Sequence, residues 1–302
     1  MVQSGEKRVK NFLSSRKRER IVPYLFLVPF LLSFIIFFLI PAVYSFVLSF
    51  YQYKGYGTMK FRGWGNYISL LTYSTFWASL WNTLFYLFMH IIPTMLLSFI
   101  LAYMLQSKLM VKRQSILKPI LFLPQIVPII ASALIWRIIL ATQYGAINQI
   151  FGMQINFLGE GATARWAVVV LQVWRATGWY MVIYMAGLTS ISDEIIEAAT
   201  IDGASTLRRI WHIILPMMRP IFLFAFVMDA IGSFKLFTEP NILLSSSTGL
   251  VTKPDVIPMM NVLLMNLNGA NFGMASAMGW LIFILVLIVS LLQLKMFSRK
   301  AD

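Results

Sequence analysis

The sequence contains no cysteine, which excludes disulfides and thiolate metal sites. Histidine occurs twice, as His90 and His212, too few and too far apart for a histidine-based metal site. Charged residues make up 12% of the chain, about half the usual share of a soluble domain. Acids are the scarcer sign, with 11 Asp and Glu against 25 Lys and Arg. No Gly-x-x-x-x-Gly-Lys-Ser/Thr run occurs, so a phosphate-cradling P-loop is excluded. No Ser/His/Asp or paired-carboxylate arrangement stands out in the apolar segments. The chain reads as a non-enzyme.

What fills it instead is apolar. Hydrophobic residues are 59% of the 302, and the mean hydropathy is +0.76. A soluble fold of this length has too little interior for so much apolar surface, so the class is a polytopic membrane protein surrounded by lipid. The net charge of +14 would suit nucleic acid. Lys and Arg, however, cluster in short stretches between apolar runs, which excludes nucleic acid as the partner.

Six spans are expected. A basic tail over 1–20 precedes a first span over 21–50, loosened near Pro23, Pro29 and Pro41. Its apolar run is too long for a cleaved signal peptide and lacks a small-residue cleavage site. An aromatic, glycine-containing loop over 51–73 leads to the second span, 76–105. A basic loop over 106–118 follows, then the third span, 119–140, a polar loop over 141–164 and the fourth span, 165–188. The fifth span is 217–237, a polar loop covers 238–271, the sixth span is 272–296, and 297–302 is a basic tail. The whole of 21–296 reads as one membrane domain, with no internal repeat and no appended soluble domain. Seventeen Lys and Arg fall in the two tails, the end of the sixth span (Lys295), the 106–118 loop and the segment joining spans four and five through Arg219, against seven on the opposite side or near its span ends. The positive-inside rule then puts the richer side, both termini included, in the cytoplasm.

Between spans four and five lies a polar island, residues 192–216, S-D-E-I-I-E-A-A-T-I-D-G-A-S-T-L-R-R-I-W-H-I-I-L-P. Ser192 suits an N-cap, and Asp193 and Glu194 suit the positive end of the helix dipole. Asp193, Glu194 and Glu197 share one helical face, while Ile195, Ile196 and Ala199 point the other way. Gly203 suits the C′ position that stops the helix. Ser205 caps a second helix, in which Leu207, Ile210, Trp211 and Ile214 form a stripe with Arg208, Arg209 and His212 off it. Two short helices joined at an angle by Gly203 and Ala204 are expected at a membrane surface.

Glu197-Ala198-Ala199, three residues, Gly203, nine residues, then Ile213-x-Leu215-Pro216 resembles the E-A-A loop of ABC-importer permeases. A bare E-A-A is common in acidic helices, so the spacing carries the likeness. Further stretches resemble the carbohydrate branch of that family, which includes maltose and glycerol-phosphate importers. They are Gly63-Trp64-Gly65-Asn66-Tyr67, Phe76-Trp77 with Asn82-Thr83, Phe122-Leu123-Pro124 with Pro128 and Trp136, Val173-Trp174-Arg175 with Gly178-Trp179, and Ala186-Gly187-Leu188. Arg175 stands where Lys is common in the family.

The resemblance implies an all-α polytopic fold of six transmembrane helices, with a cytoplasmic coupling helix between the fourth and fifth, in the cell membrane. It implies a sugar substrate of di- or oligosaccharide size, a second homologous permease subunit, two ATPase subunits and an extracytoplasmic solute-binding protein. No cofactor is expected on this chain, because ATP belongs to the ATPase subunits. The coupling residues it implies are Glu194, Glu197, Ala198, Ala199, Ile201, Asp202 and Gly203. Ala198 and Ala199 keep one side thin, Glu197 can accept charge-assisted hydrogen bonds from a basic rim, and Ile201 is an apolar knob with no intramolecular home. Asp202 either meets backbone donors in the turn or is a plain surface acid.

Polar residues inside spans mark a path by default. Gln172, Arg175, Ala176 and Trp179 share a face of the fourth span, and Asp229, Gly232 and Ser233 share one of the fifth. Asp229 is the sole acid in the expected spans. It either meets a sugar or pairs with Arg175 to lock two helices together. Trp174 and Tyr180 read as lipid-facing or interfacial. An ion-coupled secondary transporter is the competing class, but it calls for several intramembrane acids and two related halves. A channel calls for a repeated filter or charge ring. An ABC permease for a non-sugar solute is the nearer alternative.

Overall fold

The computed structural model describes residues 24–107, 110–159, 161–244 and 253–298. The basic tail expected over 1–20 and the last four residues of the other tail lie outside them. The first helix, α1 (Tyr24–Leu48), carries a π-turn over Ile35–Leu39, in which the Ile40 N–H reaches back to the Ile35 carbonyl. Pro41 lacks an N–H, so the α ladder breaks at that point and the wider turn takes up the slack.

The loop after it is not featureless, and the fold is not purely helical. Strands β1 (Tyr51–Gln52) and β2 (Lys60–Phe61) pair antiparallel, Tyr51 opposite Phe61. The short helix α2 (Gly65–Thr72) follows. The amide of Asn66 donates to the carbonyls of Ser49 at 2.8 Å and Tyr51 at 2.9 Å, fixing this outer segment to the end of α1. Then α3 (Ser74–Gln106) runs for 33 residues, roughly 50 Å at 1.5 Å per residue.

The third expected span is broken. It comprises α4 (Gln114–Ile126) and α5 (Ile129–Ile139), bent by 93°. Pro128 disfavours helical geometry in the residue before it, and Val127 is extended, with ψ 130. The loop over 141–164 contains α6 (Ala146–Phe151), stopped by Gly152 at φ 62. Next come α7 (Gly161–Thr189), α8 (Asp193–Ile201), α9 (Thr206–Met217) and α10 (Arg219–Phe234), with 68° between α9 and α10. The 16 residues of α10 span about 24 Å, less than a hydrocarbon core of about 30 Å. The fifth span is therefore shorter than 217–237 and enters from a bend. The loop over 238–271 holds α11 (Thr238–Leu244) and α12 (Met259–Asn268) before α13 (Phe272–Ser298). Among the described residues four helices, α1, α3, α7 and α13, are each long and apolar enough to cross a bilayer, and the count rises to six if each bent pair is one span.

Packing centres on α3 against α7. His90, Thr94, Ser98 and Ala102 are buried at intervals of four along α3, and small residues let helices approach closely in lipid. The Ser98 hydroxyl donates to the Thr177 carbonyl at 2.8 Å, and the Tyr184 hydroxyl donates to the Met95 sulfur at 2.7 Å. At Gly178 an added Cβ would lie 2.0 Å from the Leu121 carbonyl oxygen, so only glycine lets α4 cross α7 here.

Gly178→Val should therefore force two backbones apart at a cost of about 1–3 kcal/mol or more. The expected result is a lower thermal midpoint in detergent and less protein in the membrane. Gly232→Ala, where an added Cβ meets nothing within 4 Å, should leave both readings near wild type.

Candidate functional site

A cavity of about 350 Å³ opens where α3, α4, α5, α7, α10 and α11 converge. All seven residues expected on a path line it: Gln172, Arg175, Ala176 and Trp179 from α7, and Asp229, Gly232 and Ser233 from α10. Helical spacing places each set on one face, and packing turns the two faces toward each other. Trp179 stacks on Phe122, ring centres 6.1 Å apart.

The charges are not paired as the helix-locking reading had it. Arg175 and Asp229 do not meet. Arg175 Nη1 lies 3.7 Å from Glu239 Oε1, and Asp229 Oδ2 lies 3.1 Å from His90 Nδ1. Glu239 comes from α11, inside what reads as an outer loop, and that loop folds back onto the cavity. Tyr180 is also corrected: it is buried and lines the cavity. Trp174 does face outward, edge-on to Trp136. His90 was legible as a polar residue within a span, on one stripe with Thr94 and Ser98. For Glu239 the sequence offers no such signal.

Several buried polar atoms here have no hydrogen-bond partner in the chain: both ring nitrogens of His90, Gln172 Oε1, Arg175 Nε and Asp229 Oδ2. His90 and Asp229 are thus at hydrogen-bonding distance but out of line, and each retains capacity to bond elsewhere. Burial pushes the Glu239 carboxyl above its ordinary range, while a hydrogen bond to its own backbone and the Arg175 guanidinium pull it back. Donors, acceptors and an indole face in one cavity are what hydroxyl-rich molecules need. Among the described residues no group of His, Asp or Glu could hold a metal ion.

Between α7 and α10 lies the hairpin of α8 and α9. The Ser192 hydroxyl accepts from the Glu194 N–H at 3.3 Å, and the Ser205 hydroxyl accepts from the Arg208 N–H at 3.4 Å. The end of α8 is a Schellman turn. Ala204 N–H donates to Ala199 O at 2.9 Å and Gly203 N–H to Thr200 O at 3.1 Å, with Gly203 at φ +76. Those backbone carbonyls satisfy the turn, and Asp202 stands exposed. Arg209 Nη1 donates to Thr200 Oγ1 at 2.6 Å, tying the two helices. Glu194, Glu197 and Ala198 are exposed, Ala199 is half-buried and Ile201 is 86% exposed. Ile196, Ile210 and Ile214 seat against the core. Ile195, Leu207 and Trp211 do not, so the expected stripes are only half covered.

The family model for binding-protein-dependent transport system inner membrane components matches residues 95–301. The arabinooligosaccharide transport system permease of Bacillus subtilis is 32% identical, over 92% of this chain and 89% of that protein. The trehalose/maltose transport system permease of Thermococcus litoralis is 30% identical, over 94% and 96%. Among solved structures, a chain of a bacterial alginate ABC transporter in complex with an alginate pentasaccharide-bound periplasmic protein superposes with a TM-score of 0.79 at 22% identity, covering 95% of this chain and 96% of that one.

Removing one member of a buried pair strands the other charge. Glu239→Ala should destabilise the protein by several kcal/mol, on the order of 3, read as a lower thermal midpoint. Arg175→Ala with Glu239→Ala should recover part of that loss. A double variant as unstable as the sum of the singles would show that the two charges do not interact.

Proposed function

The chain belongs to the family of binding-protein-dependent transport system inner membrane components, and we propose that it forms half of the path by which a di- or oligosaccharide crosses the membrane, driven by ATP hydrolysed on partner subunits. One observation carries this reading. The residues of α7 and α10 that line the cavity sit on the two helices that flank the capped hairpin. A displacement of the hairpin therefore reaches the cavity walls through α7 on one side and, past the 68° bend, through α10 on the other.

Support for a sugar comes from the relatives, whose names specify arabinooligosaccharides and trehalose or maltose, and from the hydroxyl-matching cavity. The hairpin faces the cytoplasm in this reading, as the Lys and Arg asymmetry requires. There Glu197 and the knob of Ile201 present to an ATPase subunit, with two such subunits and a second permease completing the transporter. The periplasmic protein bound to the alginate transporter supports a solute-binding protein on the opposite side. This chain's own part is to orient hydroxyls with Gln172, Asp229 and Ser233, offer Trp179 as a stacking face, and pass on the hairpin's motion.

Uptake of labelled arabinotriose, maltose and trehalose by a strain lacking this chain tests the solute class. The chain should restore at least one. Two hairpin variants test coupling. Gly203→Val is strained by about 1–2 kcal/mol, small against a stability of about 5–15 kcal/mol, and Glu197→Lys reverses an exposed charge. Both should reach the membrane at near-normal levels and lose solute-stimulated ATP turnover. Normal ATPase docking with normal stimulated turnover in both would sink the hairpin as the coupling element.

A further inference from the structure

Asp229 is approached from three helices. On its own helix, the Ser233 hydroxyl donates to the backbone carbonyl of Asp229 at 3.0 Å, so it does not engage the carboxylate. From α7, the Tyr180 side chain interacts with the carboxylate. From α3, His90 Nδ1 comes within 3.1 Å of Oδ2. His90 is 4% exposed and Asp229 6%, and both line the cavity.

Rotation of a lone aspartate about its side-chain bonds would let the carboxylate turn along the wall or toward its own helix. An imidazole at one oxygen removes that freedom. Nδ1 and Oδ2 are within reach but out of line, and a small rotation of the ring brings the Nδ1 proton onto Oδ2, leaving Nε2 for a second partner; Nε2 has none within the chain. The remaining capacity of the carboxylate, together with Nε2, then faces the cavity. Both are then acceptors, and two hydroxyls of one sugar can donate, one to each.

We propose that His90 is the positioning residue for this carboxylate, holding it in the orientation that a sugar hydroxyl meets during passage. The proposal rests on the cavity being the solute path. It also assigns the contact to one ring nitrogen. Asparagine places an amide nitrogen near the position of Nδ1, whereas glutamine places one near Nε2.

The test uses the complete transporter in cells and in nanodiscs, with arabinotriose and maltose as probes. Capture of solute from outside belongs to the binding protein, so the half-saturating concentration should stay put. With His90→Ala the maximal uptake rate should fall roughly tenfold, the size expected for one lost charge-assisted hydrogen bond, while solute-stimulated ATP turnover continues. His90→Asn should recover uptake to within about threefold of wild type, and His90→Gln should behave as His90→Ala. In an Asp229→Asn background, His90→Ala should cost less than about twofold more, because the two residues act as one unit. If His90→Ala assembles poorly, the contrast between the asparagine and glutamine variants carries the test. Asparagine and glutamine variants with equal uptake, or additive losses with Asp229→Asn, would overturn the positioning role. If neither probe enters with the wild-type chain, the sugar reading falls and this inference with it. If they enter and His90→Ala matches wild type, only the positioning role is lost.

Discussion

A charge held away from water must be met by an opposite charge, by hydrogen bonds or by solute. That constraint fixes the centre of this protein. Asp229 and His90 tie α10 to α3, and Arg175 and Glu239 tie α7 to α11. Four elements thus close around one polar cavity inside an otherwise apolar bundle. The pairs do not use up the bonding capacity there, since Gln172, Arg175, Asp229 and His90 all keep unmet polar atoms.

The second structural theme is continuity from hairpin to cavity. The caps at Ser192 and Ser205, the Schellman turn at Gly203 and the Arg209–Thr200 bond make the hairpin a defined unit rather than a loose loop. Its two neighbours, α7 and α10, carry the cavity walls. The close crossing at Gly178 then holds α4 against α7, so a shift of one wall is felt by the next. In the proposed reading, mechanical input and solute site share two helices and need no separate relay.

Much of this was legible in the sequence because it rests on local rules. Capping residues and a C′ glycine located the hairpin turn to the residue. Helical spacing put Gln172, Arg175, Ala176 and Trp179 on one face, and Asp229, Gly232 and Ser233 on another. What was not legible depends on tertiary return. Glu239 lies beyond the expected end of a span, and only the folding back of α11 brings it to Arg175. Spacing along one helix could not tell which side chain Asp229 would meet, so Arg175 looked as apt as any. The 93° break at Val127 follows from Pro128, but proline is also tolerated within an uninterrupted helix, as Pro93 is in α3. Hydropathy alone could not separate the two cases.

The central claim is that the cavity between α7 and α10 is the solute path and that it responds to ATP on the partner subunits. The absence of native cysteine makes single-cysteine labelling of this chain clean. Ala176→Cys on one wall and Gly232→Cys on the other, each in the assembled transporter, can be followed by their reaction rate with a hydrophilic maleimide. The account predicts that a transported sugar slows labelling at both positions, and that trapping the ATP-bound state changes both rates together. Labelling that ignores sugar and nucleotide at both positions would contradict it.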